Sequence, residues 1–269
     1  MFIRFLSLFL ILSATTLAWA QSSDEGDSDT EALIDPAKKP LAPPAKAENA
    51  VDWKGVLNQS LFFSGIQHGF RLATEPGTRA GMKGAFWRGY VDSVGNMHGW
   101  GDGDVFYVNY VGHPIQGAFS GYIYLQNDPE ARLLRAGRDP RYWRSRMKAM
   151  GYSFAYSSFF ELGPISEASI GKIQSRRPQQ GFVDHVVTPI IGTGWLIAED
   201  FLDEKIVLPF ERRFQNNWAR MMVRSWLNPS RSFTNALRFK SPWYRDNRGG
   251  ILLHHYRPVH EMAPEAPRQ

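Results

Sequence analysis

The chain of 269 residues contains no cysteine, so no disulfide framework can staple it and no cysteine can carry a lipid. Several catalytic signatures are missing as well. There is no G-x-S-x-G elbow, no H-E-x-x-H pair, no phosphate-binding loop of the Walker type and no Glu-x-x-His pair of the kind that di-iron bundles use. Asp102-Gly103-Asp104 lacks the alternating oxygen ligands and the distal Glu of an EF-hand loop. Strand signals are sparse, the best being 250–256, and no internal repeat is present. What remains is a chain that must be held together by its core alone.

The N-terminus carries one early cation, Arg4, then an apolar run to Ala18 and the small-residue pattern Ala18-Trp19-Ala20. This predicts a signal peptide over 1–20 and hence export. Residues 21–50 hold six clustered acids from Asp24 to Asp35 followed by Pro36, Pro40, Pro43 and Pro44, the composition of a disordered acidic tether. Without the one base of the leader and the seven acids and three bases of the tether, 27 bases face 19 acids in 51–269. An exported chain with such a surplus meets anionic lipid or envelope polymer rather than nucleic acid.

The organising stretch is 105–126, which carries no formal charge. Its polar residues Asn109, His113, Gln116, Ser120 and Tyr124 fall at steps of 4, 3, 4 and 4, on one face of a helix. The reading is one long buried helix with Asp104 as N-cap, kinked by Pro114, and long enough to admit insertion across a bilayer. Gly117 and Gly121 form a small-xxx-small pair that permits close helix approach. Two further helices carry similar stripes: Ser153, Ser157 and Glu161 over 141–162, and Asp184, Thr188, Gly192, Trp195 and Glu199 over 184–204, where Pro189 follows a stripe residue as Pro114 does.

Helices are also expected at 53–74, 79–94 and 209–227, with a short one capped by Ser230 or Ser232. His68, on the first, reads as a partly exposed polar residue. The 209–227 segment reads as a basic amphipathic helix, with Phe210, Phe214, Trp218, Met221, Met222 and Trp226 on one side and Arg212, Arg213, Arg220 and Arg224 on the other. The expected fold is therefore all-α: a single bundle of about six to seven helices over 51–245, with a Pro-rich tail over 246–269.

The series Asn109-Tyr110-Val111-Gly112-His113-Pro114 with Gly117, Tyr152-Ser153, Ser157, Phe160-Glu161, Glu167-Ala168 and Asp184-His185-Val186-Val187-Thr188-Pro189 with Gly192 and Glu199 resembles a bacterial envelope family known as a domain of unknown function, number 3943. The likeness covers about 105–200. That family commonly shows Trp where Phe160 stands and a Pro-Ser step at Ala168-Ser169-Ile170. The resemblance implies an envelope setting and a helical core, and it carries no known reaction.

Three one-sided polar stripes must meet, because an unpaired buried polar group costs roughly 1–3 kcal/mol. His113, Glu161, Asp184 and Glu199 are accordingly expected close together, with Glu167, Asn109, Gln116, Ser157 and Thr188 nearby. Arg132, Arg135, Arg141 and Arg144, interleaved with Tyr142 and Trp143, suit an anionic surface. The functional expectation is a membrane-associated scaffold or lipid-surface-binding protein of the periplasm or outer membrane, with no resident cofactor and room for an envelope protein partner. The alternative is an envelope hydrolase or metal-dependent enzyme acting on a lipid or cell-wall substrate through His113, Glu161, Asp184 and Glu199.

Overall fold

The computed structural model describes residues 50–83, 85–171, 181–248 and 251. The expected signal peptide over 1–20, nearly all of the expected tether over 21–50, most of the expected tail over 246–269 and most of the candidate strand at 250–256 lie outside these residues. Among the described residues the fold is helical throughout, as expected for an all-α bundle.

Local signals account for most of the boundaries. Helix α1 (Trp53–Thr74) starts where the Asp52 carboxylate accepts from the Gly55 N–H at 2.9 Å. The expected helix at 79–94 is two: α2 (Pro76–Gly81), opened by Pro76, and α3 (Phe86–Gly95). Gly81 ends α2 against the chain, where a Cβ would stand 1.8 Å from the Gly171 carbonyl oxygen.

The central helix α4 (His113–Asn127) is preceded by a π-turn (Val108–Gly112), whose wider ring places the His113 N–H on the Val108 carbonyl. Pro114 thus falls where the α-ladder is already interrupted, and its missing N–H breaks no further bond. The carboxylate at this entry is Asp102 rather than Asp104: it accepts from the Asp104 N–H at 2.9 Å and from Asn109 Nδ2 at 2.8 Å. Nor is the whole stretch buried. Residues 113–126 are nearly all inside, whereas Val105, Phe106 and Tyr107 stand out in solvent.

Helix α5 (Pro140–Leu162) is capped by Asp139, with Pro140 at its first position. Helix α6 (Val183–Leu202) runs through a further π-turn (Asp203–Val207) straight into α7 (Leu208–Arg213). The expected 209–227 helix is broken at extended Phe214, and Asn216 caps a fresh helix, α8 (Asn217–Leu227). Helix α9 (Pro229–Leu237) follows at once, its N-terminal boundary at Asn228.

Helices α4, α5 and α6 form the centre, with α1 and α9 against α4. One apolar cluster joins Val56 and Phe63 of α1 to Phe119, Ile123, Tyr156, Phe160, Phe233 and Leu237. A second gathers Ala118, Tyr122, Leu125, Ala149 and Leu196 where α4, α5 and α6 cross. Glycine allows that crossing: a Cβ on Gly117 would meet the Thr188 carbonyl oxygen at 1.8 Å, and one on Gly192 would meet Gly117 Cα at 2.7 Å. Among the described residues no helix is long and apolar enough to cross a membrane.

Candidate functional site

The polar stripes do meet, but in two separate centres rather than one. The first lies where the start of α4, the end of α5 and the start of α6 converge. His113, Glu161 and Asp184 are all buried there, and each offers one ligating atom within 4.8 Å of the others. His113 Nε2 stands 3.4 Å from Asp184 Oδ1. Ser157 Oγ donates to the Asp184 backbone carbonyl at 3.4 Å, tying α5 to α6 just behind the cluster.

Carboxylates crowd this centre. Asp102, Asp104, Glu161, Glu167 and Asp184 share it with one guanidinium, Arg71 of α1, which pairs with Glu167 and also with Glu75 at 3.2 Å. Burial pushes the Glu161 carboxyl well up, and the charges of Glu167 and Asp184 add to this. Burial and the neighbouring Asp102 push Asp184 to about 9. Asp102 goes the other way: burial would raise it, and hydrogen bonds from Asp104, Asn109 and Asp184 hold it below the usual range. Asp184 is thus the protonated partner donating to the Asp102 carboxylate. Burial lowers His113 to about 4, against the opposing pull of Asp104, so its imidazole is neutral at pH 7.

A cavity of about 500 Å³ opens beside this centre. Phe63, Phe70, Ile115, Phe119 and Phe160 form apolar walls, and Arg71, His113, Gln116 and Glu167 form a polar end.

Glu199 belongs to the second centre. It lies fifteen residues along α6 from Asp184, about 22 Å at the helical rise, which is why the shared stripe does not bring it to His113. It accepts from the Trp195 indole at 2.8 Å and from the Ser230 N–H at 3.1 Å, so it caps the first turn of α9. Around it runs a buried ionic chain. Arg146 donates to Asp200 at 2.6 Å, and Arg231 bridges Asp200 and Asp203. Arg245 reaches Asp203 at 3.1 Å, Arg248 links Asp203 to Glu211, and Glu211 pairs with Arg224. Burial would raise the Asp203 carboxyl, and the three guanidiniums around it outweigh that and hold it far below its usual range.

The helix faces depart from the usual arrangement of a basic amphipathic helix. Helix α8 buries its arginines: Arg220 and Arg224 are fully enclosed, while Trp218, Met222 and Trp226 at steps of four are 54%, 49% and 69% exposed. Glu211, thirteen residues before Arg224, and the Trp243 carbonyl receive the Arg224 guanidinium, which makes its burial tolerable. Helix α1 buries a polar row as well: Ser60, Ser64, His68 and Arg71 face in beside Val56 and Phe63, while Trp53, Leu57 and Leu61 face out. His68 is therefore buried, not partly exposed, and stacks on Phe160 at 4.7 Å.

Of the residues singled out from sequence, His113, Glu161 and Asp184 assemble, with Asn109, Gln116, Ser157, Glu167 and Thr188 around them. Glu199 stands apart. Arg132 and Arg144 are exposed, Arg135 pairs with Glu204 at 2.6 Å and Arg141 with Asp139 at 2.8 Å. Sequence reasoning missed Arg71, Asp102 and Asp200. A signal for Arg71 existed in the unremarked row Ser60, Ser64, His68, Arg71, at steps of 4, 4 and 3.

Comparison of the chain with protein families, with curated proteins and with solved structures finds no match.

Proposed function

We propose that the chain is a lipid-surface-binding protein of the cell envelope, its outward apolar rows lying against lipid and its exposed cations against anionic headgroups. The observation that carries this reading is the inverted placement of α8, whose arginines are enclosed and whose Trp218, Met222 and Trp226 face out. Contiguous outward apolar surface marks a partner or a membrane. Lipid is favoured over protein because apolar and cationic side chains sit side by side on one helix: Trp143 and Met147 of α5 are exposed next to Arg144 and Lys148. Each cation near an anionic surface contributes about 1 kcal/mol. Co-sedimentation with anionic vesicles should therefore fall with salt and with Arg→Glu changes at Arg132 and Arg144. Equal binding to neutral vesicles would remove the electrostatic part, and no binding to either would remove the reading.

The cavity supports a second reading, in which the protein acts on an amphiphile. Its apolar walls suit an acyl chain and its Arg71–His113 end suits a polar head. A fluorescent fatty-acid probe should bind stoichiometrically and bind more weakly when Ile115→Trp fills the cavity; binding unaffected by that change would contradict it.

A further inference from the structure

We propose that His113, Glu161 and Asp184 form a binding site for one divalent transition-metal ion, open on one side to the cavity. The proposal rests on neither reading above, since it concerns the polar centre alone.

The first ground is geometry. Metal–ligand bonds of about 2.1 Å in a tetrahedral site place ligand atoms about 3.4 Å from one another. His113 Nε2 and Asp184 Oδ1 are 3.4 Å apart, and the full triad closes within 4.8 Å. Side-chain shifts of the size of a rotamer adjustment bring the wider separation into coordination range.

The second ground is unmet bonding capacity. Asp184 Oδ1 and Glu161 Oε1 are buried without a hydrogen-bond partner among the described residues. Asp184, Glu161 and His113 are more than nine-tenths enclosed, at 6%, 2% and 8% exposure. Thr188 Oγ1 and Gln116 Nε2, close by, are likewise unmet. Buried polar atoms without partners are rare enough that a cluster of them asks for a missing group. An ion meets the acceptors directly, and its water ligands can meet the hydroxyl and the amide.

Charge gives the third ground. An ion that displaces the carboxyl protons of Glu161 and Asp184 is compensated by two carboxylates beside the His113 imidazole, which leaves a neutral assembly in a buried place. The surrounding Asp102, Asp104 and Glu167, set against Arg71, also favour a cation. One imidazole with two carboxylates is a donor set for zinc, manganese or ferrous iron rather than for calcium or magnesium, which take oxygen alone. Three protein ligands leave coordination positions free, and His113 lines the cavity from which a further ligand would approach.

The test uses the purified chain, stripped with a chelator and titrated with Zn²⁺ or Mn²⁺ by calorimetry. One equivalent should bind, and at a hundredfold excess over Kd the melting temperature should rise by roughly 5–10 °C. His113→Ala, Glu161→Gln and Asp184→Asn should each weaken binding by about 100-fold or more, whereas Glu199→Gln, in the other centre, should leave it unchanged. Asp184→Asn and Glu161→Gln put a neutral carboxamide of the same shape where burial already favours a neutral carboxyl, so their metal-free forms should melt close to the parent while losing the metal-induced rise. Co²⁺ added to the unaltered chain, which needs no variant to fold, should give the visible absorption of a four- or five-coordinate nitrogen–oxygen site. A colourless Co²⁺ titration, absence of binding, or binding that survives both carboxamide changes overturns the proposal.

Discussion

His113 Nε2 faces Asp184 Oδ1 across 3.4 Å at the point where α4 meets α6, and the contact exists because Gly117 and Gly192 let the two helices touch backbone to backbone. Packing and polar chemistry are coupled at this crossing. Gly117→Ala should therefore cost at least about 2 kcal/mol, since the new methyl meets the Thr188 carbonyl rather than a movable side chain. Gly65→Ala, on open helix surface, should be neutral or stabilise by up to about 1 kcal/mol. Urea unfolding of the two variants checks the contrast, and equal midpoints would contradict it.

A second expectation concerns the ionic chain. Asp200 accepts from Arg146, Arg231, Tyr122 and Tyr142 in the interior. Asp200→Ala leaves two guanidiniums short of a counter-charge and should destabilise the fold by about 3–5 kcal/mol. Denaturant unfolding showing a loss below 1 kcal/mol would mean that water enters this centre.

How much of this was legible in the sequence depends on what each feature needs. Helices α1, α5 and α6 announce themselves through caps, prolines and uninterrupted helical period, and they appear nearly where expected. The grouping of His113, Glu161 and Asp184 follows from polar stripes that had to meet. Glu199 shares the stripe of Asp184 but not its end of the helix, and a stripe gives a face without giving the height at which a partner crosses it. Which faces of α1 and α8 are buried was not legible for another reason. Helical period separates polar from apolar sides without saying which of them lies inward. Here the burial of Arg224 depends on Glu211 and that of Arg245 on Asp203, forty-two residues away, and such pairings cannot be read from local pattern. The π-turns are equally silent in the sequence.

Acid should weaken the fold through His68 and His113. Burial lowers both to about 4, with Arg71 adding to it in each case, below the unfolded value of about 6.5. A group depressed on folding contributes stability that is complete above the unfolded pKa and is lost as pH falls through the folded one. The loss should thus develop from about pH 6.5 down to pH 4. Asp203, held below the usual carboxylate range by its three arginines, adds a further loss as pH drops below about 4. His68→Phe should remove about half of the slope between pH 6.5 and 4, leaving the part that belongs to His113, and an unchanged slope would refute the assignment to His68.

Outward aromatics should matter to binding and not to folding. Trp218→Ser and Trp226→Ser remove side chains that are 54% and 69% exposed, so each should shift stability by no more than about 0.5 kcal/mol while reducing vesicle binding several-fold. Loss of thermal stability with binding retained would reverse the roles given to these residues.

The most direct measurement is quenching of intrinsic tryptophan emission by vesicles whose acyl chains carry bromine. Trp53, Trp87, Trp143, Trp218 and Trp226 stand on outward apolar faces, so anionic brominated vesicles should quench the emission and shift it to the blue. High salt should reverse both. Emission unchanged in position and intensity at saturating anionic brominated lipid would contradict the claim that these faces lie against a membrane.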